Sequence, residues 1–498
     1  MFSIRLVVKI VLSLAIFSSF AFAGEESYAA HVPLSMVLPF VILLVAIAVV
    51  PFINRNWWKN NYPYVAVGLG LIPVAYYFVV LGNGGRMLQI GKEYLSFIVL
   101  IGSLFIVSGG IHIRITGKST PFANVCLLAI GAVAANVLGT TGASMILIRP
   151  FLRVNKYRIR GFQVVFFIFV VGNMGGALTP IGPPLFLGYL SGVPFWWVLE
   201  YVWHMWILAI AIVLAVFFVM DTISFRKFEA GPKRVLPSKL HEKTEVGGMH
   251  NVFFLAVIIA AVFLENPPFL REALMIAAAD GSYFTTRNEI HVKNDFNFVP
   301  IKEVAILFAG IFATMVPALD WLELNASSIG MATPGQFYWG TGALSGVLDN
   351  APAYLNSLSA SVGLFVDQKI VVQIQYLIAS HGAGIAAIKD IHADEIRNTF
   401  ATIAKFHPDI VATGSVPPSV AQVSYLIGNH DVYLKAISVG AVFFGACTYI
   451  GNGPNFMVKS IAEQAGVAMP SFFGYIGRYT VPVLLPTFAL IWFLFFRS

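Results

Sequence analysis

The sequence predicts an all-α membrane protein, an inverted-topology repeat of about 10 transmembrane helices with two re-entrant helical hairpins and two discontinuous helices. Three observations support this prediction. The 498 residues are 58% hydrophobic and only 11% charged, with a mean hydropathy of +0.80. Apolar windows of membrane length recur along the chain, and one glycine-rich motif occurs twice. This much apolar surface exceeds what a water-soluble core can hide, so membrane lipid is the expected surrounding.

Charge and cysteine content exclude several other classes of protein. The net charge is +7 and the pI is about 9.2, but the basic residues lie in short loops between apolar runs. We therefore interpret them as orientation signals and expect no nucleic acid partner. Cys126 and Cys447 lie inside apolar stretches of different halves, so no disulfide or zinc site is predicted.

The N-terminus has the pattern of a secretory signal peptide at residues 1–23. Arg5 and Lys9 precede an apolar run, and cleavage is expected after Ala23; an uncleaved extra helix is the alternative. Apolar windows predict uninterrupted spans at 34–53, 62–81, 94–113, 197–220, 251–264, 269–285, 299–319 and 472–496. The predicted segments are a first repeat (31–220), a cytoplasmic linker (221–250), a second repeat (251–361 and 431–498) and a polar periplasmic insert (362–430).

Loop charge gives the expected orientation, since Lys and Arg accumulate on the cytoplasmic side. The basic groups before and after 122–148 can share that side only if this stretch enters and leaves there, as a re-entrant hairpin. Asp320 and Glu323 are then outside, so 340–358 forms a second hairpin from the opposite face. The insert is predicted to be a small amphipathic-helical domain. Its histidines lack metal-ligand spacing and are assigned to its solvated surface.

The repeated motif is Gly-Ala-x-Thr-x-Ile-Gly, at 176–182 and again at 445–451. Pro183-Pro184 follows the first copy and Asn452-Gly453-Pro454-Asn455 the second, within the apolar stretches 162–190 and 432–458. Such residues break helices, and unwound backbone in lipid is tolerated only where it is buried in protein or lines a cavity. Matching breaks predict a central site, where half-helix N-termini suit anions and free carbonyls suit sodium. The alternative is that these residues only pack or kink the helices.

Each predicted hairpin has a tip of small and polar residues, at 139–144 and 345–352. Asp349 is the only charged side chain in the four motif segments, and an intramembrane acid suggests a functional site. At such a carboxylate a proton and a cation would compete for the same oxygens. The alternative is that Asp349 only caps the half-helix that begins at Ala351-Pro352.

At these residues the chain resembles the ion transporter superfamily of the ArsB and NhaD-type permeases, the citrate-metal transporters and the dicarboxylate/sodium symporters. It is most similar to NhaD-like sodium/proton antiporters and a putative citrate transport family. The resemblance implies a homodimer with an elevator-like transport domain. It differs in having Gly139-Thr140 where antiporters tend to have Asp-Asn, and Pro183 in place of an acid. Carried over by motif, the ion and substrate site comprises Thr140, Thr141, Ser144, Thr179, Gly182, Asp349, Asn350, Thr448, Gly451 and Asn452, with Asp349 and Asn350 as sodium ligands.

The leading hypothesis is a multi-pass sodium/proton antiporter of the inner membrane, with Asp349 as the exchange site, sodium and proton as coupling ions and no cofactor. The second is a symporter that takes up citrate or a dicarboxylate with sodium. An enzyme is not expected, because it would need paired catalytic groups or a metal cluster at membrane depth. A further alternative is a sensor that uses the 362–430 insert. In that case deleting the insert would abolish function, whereas Asp349 would be dispensable.

Overall fold

A computed structural model describes residues 30–114, 119–229, 245–262, 264, 267, 269–294, 296–325, 332–347, 349–382 and 391–497. The predicted signal peptide at 1–23 and most of the predicted linker, 230–244, lie outside the described residues.

The first half consists of helices with one short strand after the third. A 3₁₀ turn precedes α1 and a π-helical segment, Tyr76–Val80, continues α2. The elements are α1 (Leu38–Ile53), α2 (Arg55–Ala75), α3 (Gly84–Gly109), β1 (His112–Arg114), α4 (Pro121–Val154), α5 (Gly161–Val170), α6 (Pro183–Leu190) and α7 (Trp197–Glu229).

The second half begins with a second strand and is otherwise helical. A π-helical segment, Ile476–Leu484, separates its last two helices. The elements are β2 (Glu245–Gly247), α8 (Asn251–Val262), α9 (Leu270–Thr285), α10 (Asn288–Lys293), α11 (Val299–Asn325), α12 (Pro334–Val347), α13 (Asn350–Phe365), α14 (Gln368–Ala379), α15 (Ala393–Phe406), α16 (Pro408–Thr413), α17 (Pro418–Asn429), α18 (Asp431–Phe444), α19 (Gly453–Gln464), α20 (Phe472–Tyr475) and α21 (Leu485–Phe495).

The prediction of a helical membrane protein is confirmed. Within the described residues, 7 helical stretches are long and apolar enough to cross a membrane, and an eighth span is possible if a pair of helices bent by 92° is counted as one. The described regular structure departs from all-α in one small antiparallel sheet, in which His112 pairs with Gly247. The predicted spans at 251–264 and 269–285 correspond to the shorter helices α8 and α9, of 12 and 16 residues.

Close helix packing holds the apolar part of the molecule together. α2 packs on α11 and α9 packs on α3, while α3 and α11 contact each other. Where α2 crosses α11, a Cβ at Gly310 would lie 2.7 Å from the carbonyl oxygen of Ala66. A Cβ at Gly70 would lie 3.3 Å from the Cβ of Ala313. Small residues therefore let the two backbones approach closely, which is the usual way helices associate in lipid.

Asp320 shows how this fold accommodates a buried charge. The loop charges predict that Asp320 lies at the outer side of the membrane, which stays a prediction; its side chain is fully buried within α11. The Arg86 guanidinium lies 2.8 Å from its carboxylate and the Tyr77 hydroxyl donates to it at 2.7 Å. A buried carboxylate persists only when it is paired and hydrogen-bonded.

The region predicted as a polar insert contains four helices, α14 to α17, in its described part. α15 and α17 pack together, with Ile396 and Ile403 buried and charged residues outside. Lys405 of α15 forms an ion pair with Glu200, near the start of α7, at 2.7 Å. The side of the membrane on which these helices lie stays a prediction.

Candidate functional site

The helix α4 folds back on itself at Gly139 and forms hairpin 1. Gly139 has φ 72° and ψ 158°, a backbone conformation that residues with a Cβ rarely adopt. The side chains of Asn124, near the start of α4, and Asn155, just after its end, exchange two hydrogen bonds of 2.8 Å. Both ends of the helix therefore meet at the base of the hairpin, with Gly139 at the tip.

A buried ion pair fixes the base of hairpin 1 to α7. The Arg158 guanidinium donates two hydrogen bonds to the carboxylate of Asp221, of 2.5 and 2.8 Å. Asn124 and Gln163 also donate to this carboxylate, at 2.9 and 2.8 Å. Because the charge is paired and hydrogen-bonded on several sides, burial at this place is tolerated.

The helices α12 and α13 form hairpin 2. The Thr341 hydroxyl of α12 donates to the Ser357 hydroxyl of α13 at 2.7 Å, and the rings of Phe337 and Phe365 lie 6.4 Å apart near the open end. These contacts show two antiparallel legs. The tip is at 348–349, of which Leu348 lies outside the described residues.

Hairpin 1 is bonded near one end of α7, and the α14–α17 region beside hairpin 2 is bonded near the other end. The base of hairpin 1 is bonded to Asp221, whereas Glu200, 21 residues earlier in α7, is paired with Lys405. The α14–α17 region that carries Lys405 ends beside hairpin 2, where the His430 ring stacks on Phe365 at 4.8 Å. A helical rise of about 1.5 Å per residue puts about 30 Å between the two attachment points on α7.

Each copy of the repeated motif interrupts a helix. In the first, α5 ends at Val170 and helical structure resumes at Pro183; in the second, α18 ends at Phe444 and resumes at Gly453. We call the intervening residues unwound segment 1 (171–182) and unwound segment 2 (445–452). Each contains one turn of 3₁₀ helix.

The threonine of each motif donates to a carbonyl oxygen of one hairpin. Thr179 donates to the carbonyl of Asn136 at 2.5 Å, and Thr448 donates to that of Gly346 at 2.7 Å. Each carbonyl belongs to the residue three positions before the tip. Gly139 therefore occupies, in hairpin 1, the place that Asp349 occupies in hairpin 2.

Hairpin 2 and unwound segment 2 are tightly packed. The Ser345 hydroxyl donates to the side-chain oxygen of Asn350 at 2.8 Å. A Cβ at Gly445 would lie within 3 Å of the Asn350 amide, and one at Gly451 would lie 2.8 Å from the carbonyl of Ser345. The Thr448 hydroxyl also accepts from the backbone N–H of Gly451 at 3.0 Å. Asn350, Thr448 and Gly451 are thus brought together, with their polar atoms engaged in holding the tip.

Buried asparagines join the two unwound segments. Asn452 donates to the carbonyl of Gly172 at 3.0 Å and to the side-chain oxygen of Asn173 at 3.1 Å. Asn173 in turn donates to the side-chain oxygen of Asn455 at 2.7 Å, and Asn455 donates to the carbonyls of Gly445 and Thr448 at 2.7 and 2.9 Å. These amides satisfy backbone that the broken helices leave unpaired.

Asp349 lies at the N-terminus of α13 and is 5% exposed. Its Oδ1 accepts from the backbone N–H of Ala351 at 3.2 Å, so the capping role considered from the sequence is present. Its Oδ2 is buried and has no hydrogen-bond partner among the described residues. One oxygen thus caps the helix, and the other is available to a proton or a cation.

The tip of hairpin 1 carries no acid but has unused space. Thr140, Thr141 and Ser144 are buried, and the Ser144 hydroxyl has no partner among the described residues. A cavity of about 20 Å³, large enough for one water molecule, lies against the tip and Ile181. A Cβ at Gly182 would meet nothing within 4 Å, in contrast to its counterpart Gly451.

The sequence-based prediction omitted four residues that the structure places in this arrangement, Asn136, Asn173, Ser345 and Asn455. Asn136 accepts from the backbone N–H of Leu178 at 2.9 Å, in addition to the carbonyl contact with Thr179. The available signal was a polar side chain within an apolar run, an amide in three cases and a hydroxyl at Ser345, which is costly in lipid unless it is bonded.

The ligands that surround Asp349 differ from those of a typical zinc or iron site. Within the described residues, His, Cys, Asp and Glu form no cluster of three or more that could hold a metal ion. A single carboxylate surrounded by neutral oxygens is chemically suited to a hard, weakly bound cation. The predicted sodium ligation by Asp349 and Asn350 stays a prediction.

Comparison with known proteins identifies the family to which the chain belongs. No curated protein and no solved structure matches the chain. A family model described as putative citrate transport matches residues 29–496. This confirms the predicted relationship to that family, while the predicted likeness to NhaD-type antiporters stays a prediction. The chain is a multi-pass membrane protein that belongs to the putative citrate transport family of transporters.

Proposed function

We propose that the protein is a secondary active transporter that exchanges sodium ions for protons, with Asp349 as the shared binding group. One observation carries this proposal: Oδ2 of Asp349, the single acid in the sequence of the hairpin tips and unwound segments, is buried and has no hydrogen-bond partner within the part of the chain that the structure describes. A carboxylate in this position cannot stay both charged and unpaired without a large cost. It must hold either a proton or a cation, and that alternation is what an exchanger requires.

The arrangement of the hairpins supports an inverted repeat. Their bases lie near opposite ends of α7, about 30 Å apart, which is close to the thickness of the hydrocarbon core of a bilayer. The matched hydrogen bonds of Thr179 and Thr448 relate the two halves. We therefore propose that hairpin 1 enters from the cytoplasm and hairpin 2 from the periplasm, so that their tips approach the site from the two sides.

Several groups near Asp349 could complete a cation shell. Unwound segment 2 offers backbone carbonyls, and the N-termini of α13 and α19 are near the same tip. The partial positive charge at these two helix N-termini disfavours binding of a second cation at the site and helps the bound cation to leave. Exchange would follow as a cation displaces the proton of Asp349 on one side and is itself displaced by a proton on the other.

A second candidate function is sodium-coupled uptake of citrate or a dicarboxylate. Membership in the putative citrate transport family favours it. The hydroxyls of Thr140, Thr141 and Ser144, together with the half-helix N-termini, would bind the carboxylates. In this case Asp349 would hold the coupling cation.

We also propose that the protein lies in an inner (plasma) membrane as a homodimer, which its apolar outer surface and the family relationship favour. Large apolar side chains such as Tyr64, Val79 and Phe122 are exposed by 77%, 82% and 71%. Such a surface is stable only against lipid or another apolar subunit.

Transport in proteoliposomes tests the proposal. Purified protein is reconstituted with a pH-sensitive dye inside, a pH gradient is imposed, and sodium is added outside. The wild type should dissipate the gradient, and Asp349→Asn should not, because the amide neither ionises nor releases a proton. Asp280→Asn is the matched control, since Asp280 is a half-buried acid of α9 and should leave exchange unchanged.

Labelled citrate and a dicarboxylate, measured in the same vesicles, separate the two functions. Accumulation driven by a sodium gradient, without sodium-dependent proton movement, would replace exchange by symport. A wild type that moves neither protons nor carboxylates in response to sodium would refute both functions.

A further inference from the structure

Hairpin 2 contains a line of buried polar side chains that the binding of a cation to Asp349 does not require. Four polar residues of α13 recur at helical spacing and so share one face: Asn350, Tyr354, Ser357 and Ser361. Each is at most 3% exposed. An apolar leg would pack as well in lipid, so this repeated burial of hydroxyl groups needs a reason.

Neighbouring helices supply further hydroxyl groups along the same face. Ser345 of α12 bonds to Asn350 at 2.8 Å, and Thr341 of α12 bonds to Ser357 at 2.7 Å. Ser438 of α18 lies next to the phenol of Tyr354. The polar line is therefore formed by three helices.

The centre of the line contains unsatisfied groups. Tyr354 is 0% and Ser438 is 2% exposed, and apart from each other neither hydroxyl has a hydrogen-bond partner among the described residues. The phenol reaches the backbone of α6, because a Cβ at Gly188 would lie 2.5 Å from its oxygen. These two hydroxyls retain capacity to donate and to accept, and Oδ2 of Asp349 can accept. Toward the ends of the line the hydroxyls also bond to backbone, Ser361 to the carbonyl of Leu358 at 2.8 Å and Ser345 to that of Ala441 at 2.5 Å, so the free capacity lies at its centre.

The line connects the tip of hairpin 2 with its open end. Asn350 directly follows Asp349, and Ser361 lies eleven residues further along α13, which corresponds to about 16 Å. Just beyond Ser361 the chain becomes exposed, at Leu364 (49% exposed) and Asp367. The polar face thus extends from the buried acid to the region where the hairpin leaves the apolar part of the molecule.

We propose that the hydroxyls of this line, which we call the hydroxyl line, are the path along which protons travel between Asp349 and the outer end of hairpin 2; the Asn350 amide bonds to Ser345 and carries no proton itself. The proposal rests on the exchange function proposed above. A hydroxyl oxygen accepts a proton from one side and releases its own to the next, after which the hydroxyls rotate back. One proton enters and one leaves, no covalent bond to carbon changes, and no oxidant or reductant is needed. Cations would use a different route to the same carboxylate, since a chain of single hydroxyls conducts only protons.

Removing one hydroxyl oxygen tests the path. Tyr354→Phe keeps the ring and removes only the oxygen, and Ser357→Ala removes a second member of the line. Thr314→Val is the matched control, because Thr314 of α11 is equally buried and its hydroxyl donates only to backbone carbonyls in its own helix. All variants are purified as full chains and reconstituted in the same vesicles.

Two transport modes are compared for each variant. The first is sodium-driven proton movement, measured with the internal dye; the second is exchange of labelled sodium for unlabelled sodium, which requires no proton. Tyr354→Phe should slow proton movement by about tenfold or more while sodium–sodium exchange stays within about twofold of the wild type. Ser357→Ala should likewise slow proton movement more than sodium–sodium exchange, and Thr314→Val should change neither.

The outcomes distinguish a proton path from a purely structural role of these hydroxyls, and failure of the path from failure of the exchange function. If Tyr354→Phe slows both modes equally, or slows neither, the hydroxyl line is not a proton path, and the exchange function is unaffected. If the wild type shows no sodium-dependent proton movement, the exchange function itself fails and the path fails with it.

Discussion

Replacing Asn173 by alanine tests whether the asparagine bridge between the unwound segments is needed for transport. The Asn173 side chain is fully buried and takes part in three hydrogen bonds: to the carbonyl of Ile168 at 2.9 Å, to Asn455 at 2.7 Å and from Asn452 at 3.1 Å. Asn173→Ala removes all three and leaves the side-chain oxygen of Asn455 without this donor.

The cost can be worked out from these three bonds. A hydrogen bond between membrane helices contributes about 0.6 kcal/mol on average, and one in a water-soluble protein about 0.5–1.5 kcal/mol. Three bonds then correspond to a loss of about 2–4 kcal/mol in the free energy of unfolding. The measurement is the unfolding midpoint in mixed micelles with increasing denaturing detergent.

Asn251→Ala is a matched control for stability. Asn251 is also fully buried and also has three hydrogen bonds, with Gly110, Thr286 and Ser282, at the cytoplasmic start of α8 as we orient the chain. We expect a similar loss of stability in both variants. Under the exchange function proposed above, only Asn173→Ala should also slow transport, because Asn173, unlike Asn251, joins the two unwound segments.

Two results would refute this reasoning. Equal loss of transport in both variants would show that destabilisation alone is responsible. Unchanged stability of Asn173→Ala would show that the bridge contributes nothing to folding, contrary to the geometry.

Three further predictions concern stability and use the same unfolding measurement. Gly139→Ala should lower the free energy of unfolding by about 1–2 kcal/mol, because φ of 72° is unfavourable for a residue with a Cβ. Gly182→Ala, where a Cβ has room, should lower it by less than half as much, and equal losses would contradict the argument. Arg158→Met should lower the free energy of unfolding by about 3–5 kcal/mol, because it leaves the Asp221 carboxylate buried without its cation. Adding Asp221→Asn should restore part of this stability. A double variant less stable than Arg158→Met would be evidence against this explanation. Lys405→Ala should leave the unfolding midpoint unchanged, since an exposed ion pair is screened by water, and a clear decrease would show that this contact anchors α15.

Much of the helical architecture follows from physical constraints visible in the sequence. Long apolar windows require helices in lipid, because every backbone amide must be bonded within the segment. Gly139 in an apolar run and the two copies of the motif mark the breaks, since glycine and proline are poor helix residues there. The same reasoning anticipated that Asp349 would lie at a hairpin tip.

Other features depend on contacts between distant residues, which periodicity does not reveal. Asp320 pairs with Arg86, which is 234 residues away in sequence, so loop charges alone do not reveal this buried ion pair. The bridge from Asn173 to Asn455 spans 282 residues. Local sequence reports that an amide lies in an apolar run, but its partner is determined only when the two halves are packed together.

The close crossing of α2 and α11 at Gly70 and Gly310 limits which parts of the protein can move. Side chains of one helix can pass those of another only if the axes first separate, and here the backbones are already in contact. We expect α2 and α11 to behave as a rigid frame during the transport cycle. The displacement that opens the site to either side of the membrane would then have to occur at the boundary where α19 packs on this frame, for example at the hydrogen bond of 3.1 Å from Ser460 to Glu303.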